Sequence, residues 1–136
     1  MNSFKECYEE YTNKKDEELT KTGIFYAFSD KQFKDNKQPK DAKDNEFISL
    51  GAGAYIHQSN KDKLDNFFNV VVKQLKQELA SKVDIEDLIL YELNNYECFY
   101  TQEPLEILDF IQEYYQDKTE EELKDLILAV YNKHNK

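Results

Sequence analysis

The sequence predicts an α+β fold: a small antiparallel sheet of about three short strands in the N-terminal half packed against helices, followed by a helical C-terminal half. Three observations carry this. Two apolar and aromatic stretches before residue 58, Ile24 to Phe28 and Phe47 to His57, are flanked or interrupted by glycine and have strand rather than helix length. From Asn60 onward, apolar residues recur at helical spacing. The segment between the two stretches is too polar to be a packed crossover helix, so the strands should pair antiparallel. At 136 residues the chain is expected to form one domain, 1–136, long enough to bury a continuous core.

Each element has a local reason. Ser3 with Glu6 has the form of a capping box, and Phe4, Cys7, Tyr8 and Tyr11 follow at i, i+3, i+4 and i+7, predicting a helix from Phe4 to Leu19. Gly23 breaks that pattern before the first strand. Ser29 with Gln32 opens a single helical turn around Phe33, and residues 35–45, rich in Lys, Asp and Asn around Pro39, read as a mobile surface loop. Phe47, Ile48 and Leu50, then Ala54 to His57, form two strands about the turn Gly51-Ala52-Gly53. Asn60 should cap a helix whose inner face holds Leu64, Phe67, Phe68, Val71, Leu75 and Leu79. Asp84 should cap another, with Ile85, Leu88, Ile89, Leu93 and Tyr96 inward. Pro104 sits at a helix start before Leu105, Leu108, Ile111 and Tyr115. Thr119 with Glu122 opens the last helix, through Leu123, Leu126, Ile127, Val130 and Tyr131.

Charge is unevenly distributed. All eighteen basic residues are Lys, and the net charge is −10. Without Arg the chain lacks the usual bidentate reader of phosphate, and its sign argues against direct binding of nucleic acid. Residues 84–125 hold fourteen carboxylates against Lys118 and Lys124, whereas the first eighty-three residues balance fourteen acids with fourteen lysines. After Pro104 the acids Glu103, Glu106, Asp109, Glu113 and Asp117 advance by three, three, four and four residues, which places them on one face of a continuous helix about 20 Å long. Such a row can engage a basic groove; as a solvated face it keeps a small protein soluble.

Other motifs are weak. A glycine turn that cradles phosphate normally leads into a helix, whereas Gly51 and Gly53 lead into Tyr55 and His57. His57 and His134 have no ligand partner at i+3 or i+4, so no metal site is expected. Cys7 and Cys98 lack paired spacing and read as buried, reduced thiols, and no nucleophile context surrounds Ser29, Ser49 or Cys98. Glu92 and Asn95 share a helix face near a helix end, while Glu97 turns away. No cofactor is implied. The N-terminus lacks an apolar leader and no run approaches membrane-spanning length, so a soluble cytoplasmic protein, monomeric or a small homo-oligomer, is expected.

The runs Phe25-Tyr26-Ala27-Phe28-Ser29-Asp30-Lys31-Gln32-Phe33, Ser49-Leu50-Gly51-Ala52-Gly53, Leu90-Tyr91-Glu92-Leu93-Asn94-Asn95-Tyr96-Glu97 and Val130-Tyr131-Asn132-Lys133-His134 resemble a family of small bacterial and phage proteins with a domain of unknown function. Members often carry histidine at the position of Tyr96 and glycine at that of Gln102. The resemblance implies a phage or mobile-element setting and brings no activity, cofactor or catalytic residue. Together these features lead to the expectation of a non-enzymatic accessory protein that binds a basic host protein through its acidic helical half, imitating nucleic-acid charge. The alternative is a small-molecule or nucleotide binder, or an enzyme, using Gly51, Gly53, Tyr55, His57 and Glu92.

Overall fold

The structure is a computed structural model and describes residues 3–135. It is α+β, with a three-stranded antiparallel sheet in the N-terminal half and helices through the C-terminal half. The chain divides into a helical unit, Met1–Tyr11 with Lys73–Lys136, and a sheet unit, Thr12–Val72.

The sheet unit begins within helix α1 (Phe4–Thr20), whose start is set in the other unit by the Ser3 hydroxyl accepting from the Glu6 amide at 3.2 Å. Strand β1 is two residues, Phe25–Tyr26, shorter than the expected Ile24–Phe28 because Ser29 already caps α2 (Asp30–Asn36). That helix makes about two turns rather than one. Gln32 reaches back to the Phe28 amide at 2.8 Å, one residue before the cap it was expected to close. The following loop is tied down: Lys37 donates to the Ala42 carbonyl at 3.0 Å and lies 3.6 Å from Asp44, and a 3-10 turn, Asp44–Glu46, leads into the sheet.

Strands β2 (Phe47–Gly51) and β3 (Ala54–His57) form the predicted hairpin, and β1 pairs with the other edge of β3, giving the order β1-β3-β2. The hairpin register pairs Ile48 with Ile56 and Ser49 with Tyr55, then shifts so that Gly51 faces Ala54. Gly51, Ala52 and Gly53 all have positive φ (87°, 51° and 80°), which explains why glycine flanks the turn. Ile56 is fully buried on one face of the sheet; on the other, Phe25, Phe47 and Tyr55 meet one another and Phe33 of α2 edge-on or stacked at 5.1–5.8 Å between ring centroids.

Asn60 does not cap the next helix with its side chain. A 3-10 turn, Gln58–Asn60, precedes α3 (Lys61–Asn66), and its orphan amide at Ser59 is taken by the His57 ring. A π turn, Phe67–Val71, separates α3 from α4 (Val72–Lys82). Its wider winding breaks the 3.6 spacing, so Phe67 is buried while Phe68, expected inside, is exposed.

In the helical unit, the Asp84 side chain accepts from the Glu86 amide at 2.8 Å and starts α5 (Ile85–Asn95). Tyr96, expected on the inner face, is instead its C-cap and stacks on Phe110 at 4.5 Å. A short helix the spacing does not predict, α6 (Cys98–Thr101), follows Glu97 and ends at Gln102, both left-handed (φ 55° and 63°). Gln102 thus occupies a conformation that favours glycine. Pro104 opens a 3-10 turn, Pro104–Ile107, before α7 (Leu108–Tyr114). The tighter turn rotates Ile107 fully inward and leaves Leu105 exposed, reversing the expectation for Leu105. Helix α8 (Glu120–His134) starts at Thr119 as read from sequence. Its Leu123 and Ile127 join Leu88, Ile89, Leu93, Cys98, Ile107 and Ile111 in a core from which solvent is fully excluded. Each of these leucines and isoleucines contributes roughly 1.5–3 kcal/mol. Cys7 and Cys98 are free and buried there. Among the described residues no helix is long and apolar enough to cross a membrane.

Candidate functional site

The acids between Asp84 and Asp125 belong to the helical unit. Twelve of the fourteen are exposed; Glu86 is partly covered and Glu92 is buried. This follows from the pattern, since α5, α7 and α8 turn their leucines and isoleucines inward and their carboxylates lie between those positions. Among the described residues, ion pairs reach four of these acids: Glu86 with Lys133 at 2.7 Å, Glu113 with Lys76, and Glu120 and Glu121 with Lys124 at 3.4 and 3.8 Å. The hydrogen bond from Lys133 and its charge hold the Glu86 carboxyl below its ordinary range.

The row Glu103, Glu106, Asp109, Glu113 and Asp117 does not ride on one continuous helix, as its spacing implied. Glu103 precedes the 3-10 turn, Glu106 lies in it, Asp109 and Glu113 lie on α7, and Asp117 follows the extended Tyr115 that ends α7. Pro104 imposes the first break and Tyr115 (φ −126°, ψ 74°) the second. All five remain exposed, and of them Glu113 alone has a lysine partner among the described residues.

Glu92 is 4% exposed. Burial pushes its carboxyl above the ordinary range and the nearby Glu113 charge adds to this, while a hydrogen bond from Asn95 and the charge of Lys76 pull the other way. Tyrosines surround the same region. Tyr8 and Tyr91 pack with ring centroids 4.6 Å apart, Tyr11 pairs with Tyr114, and the Lys76 ammonium lies 5.4 Å from the Tyr114 ring centre. Burial raises the hydroxyls of Tyr8, Tyr11 and Tyr114. The spacing places Glu92 with Asn95 but misses the tyrosines and Lys76. The available signal was that Glu92 lies four residues after Leu88, on the inner face of α5.

Gly51, Gly53, Tyr55 and His57 share the β2–β3 hairpin of the sheet unit, whereas Glu92 belongs to the helical unit. Both His57 ring nitrogens are engaged, Nδ1 with the Ser59 hydroxyl at 2.7 Å and Nε2 with Glu46 at 3.2 Å. The histidine therefore brackets the hairpin to the preceding turn. No group of three His, Cys, Asp or Glu side chains suited to a metal occurs among the described residues. The Gly53 carbonyl accepts from the Ala27 amide at 2.8 Å. Beside the turn is a recess of about 490 Å³, lined by Ala27, Phe28, Ser29, Asp30, Phe33, Asp44 and Tyr55. Its Phe28, Asp30 and Asp44 were not singled out from sequence.

The chain belongs to the Family of unknown function (DUF7659), whose model matches residues 7–133. No curated protein and no solved structure matches it.

Proposed function

We propose that this member of the DUF7659 family is a non-enzymatic accessory protein of the cytoplasm, carried by a phage or prophage, that binds a basic host protein through the acidic surface of its helical unit. The carboxylates imitate the charge of a nucleic acid. One observation supports this above the others: twelve of the fourteen acids of residues 84–125 are exposed to solvent with few lysines to neutralise them, among them Glu103, Glu106, Asp109 and Asp117. The phage or prophage setting follows from the resemblance to small bacterial and phage proteins.

A surface of this kind acts first on encounter. Complementary charge steers a basic partner and raises its association rate, and the attraction is screened beyond about 8 Å at physiological salt. Affinity should therefore fall as salt rises. The test is capture of partners from the native host's lysate at low and high salt, followed by titration of the captured protein against NaCl. An affinity indifferent to ionic strength would remove the charge-led mechanism.

A further inference from the structure

The recess beside the glycine turn differs from the phosphate cradle that its glycines suggest. Its charged side chains are carboxylates, Asp30 and Asp44, and its Ser29 hydroxyl already accepts from the Gln32 amide at 3.1 Å. Lys37 lies 3.6 Å from Asp44, while Asp30 has no cationic partner among the described residues. The rest of the lining is largely aromatic: Phe28, Phe33 and Tyr55, the last two meeting edge-on at 5.1 Å. Phe28 is 77% exposed, and its ring lies directly over Gly53, where an added Cβ would be 2.4 Å from its Cε1. A phenyl ring presented to solvent beside a carboxylate offers a cation both a ring face and a counter-charge.

We propose that this recess is a binding site for a small organic ammonium, its nitrogen at the Asp30–Asp44 side and its alkyl part against Phe28, Phe33 and Tyr55. The site excludes phosphates and carboxylates by charge. It is independent of the acids of the helical unit, and it uses the glycine turn as the backing that positions Phe28.

The probe is n-butylammonium chloride, titrated into the full chain while aromatic side-chain resonances are followed by NMR, with butyrate and butanol titrated in parallel. The expected result is saturable shifts at Phe28, Phe33 and Tyr55 with the ammonium alone, and affinity about threefold or more weaker in Phe28→Ala and in Asp30→Asn. Phe28 and Asp30 are exposed, so both variants should fold, as dispersion of their free spectra would confirm. Asp44→Asn, at a 68%-exposed side chain, supplies a third, independent reading. Absence of saturable shifts, equal shifts with butyrate or butanol, or unchanged affinity in the three variants would overturn the site.

Discussion

The two units of this chain handle charge and core in opposite ways. The helical unit carries eighteen carboxylates against eight lysines, and the sheet unit carries ten of each, so the whole net charge of −10 resides in the former. Among the described residues the helical unit also holds eight fully buried aliphatic and cysteine side chains, whereas in the sheet unit Ile56 is accompanied by an aromatic cluster that remains partly exposed. A charge surplus costs self-repulsion. The comparison teaches that the surplus accompanies the deeper core, where burial offsets that cost, and that the shallower unit keeps its charges balanced.

Core truncation should separate the units most strongly. Leu93→Ala removes a fully buried side chain and should destabilise by about 2–5 kcal/mol in denaturant unfolding, while Phe33→Ala, at a half-buried ring, should cost clearly less. Equal losses would break the contrast. Next come the two turn glycines. Gly51→Ala meets no atom within 4 Å and should cost about 1–2 kcal/mol from backbone strain alone, whereas Gly53→Ala must also displace Phe28. Crystal structures or Phe28 ring resonances of the two variants would distinguish them. In the helical unit Gln102→Gly should stabilise by roughly 0.5–1 kcal/mol by relieving the left-handed backbone, read as a rise in the unfolding midpoint.

The smallest change is expected at Glu92, among the described residues of this unit the one buried carboxylate. Its folded-state pKa is raised, first by burial, so the folded protein binds the proton more tightly than the unfolded chain does. Its contribution to stability is present below the ordinary carboxylate pKa and is lost as pH rises through the elevated value. Glu92→Gln should flatten that part of the stability–pH curve and leave the protein no less stable at neutral pH. A wild-type contribution that grows with pH in this window would contradict the burial account.

Local signals made much of the fold legible. Ser3, Ser29, Asp84 and Thr119 mark helix starts because a side-chain oxygen satisfies nearby amides, and the turn glycines mark the hairpin because the backbone there has positive φ. What escaped was wherever the winding changes. The π turn exposes Phe68, the 3-10 turn exchanges Leu105 for Ile107, and a constant 3.6-residue period cannot register either shift. The sites divide similarly. Outward acids follow from helical spacing, but the burial of Glu92 among tyrosines and the recess joining Phe28 and Asp30 to Asp44 and Tyr55 arise from residues distant in sequence.

Neutralising equal numbers of acids in the two units shows which of them carries the binding charge. One variant carries Glu103→Gln, Glu106→Gln, Asp109→Asn and Asp117→Asn in the helical unit; the other carries Asp16→Asn, Glu17→Gln, Asp35→Asn and Asp62→Asn in the sheet unit. Both lose the same number of charges, and each is titrated with a fluorescent twenty-residue lysine peptide across a salt series. The account predicts that the first variant loses most of the affinity and of its salt dependence while the second stays near wild type; equal losses in the two variants would contradict it.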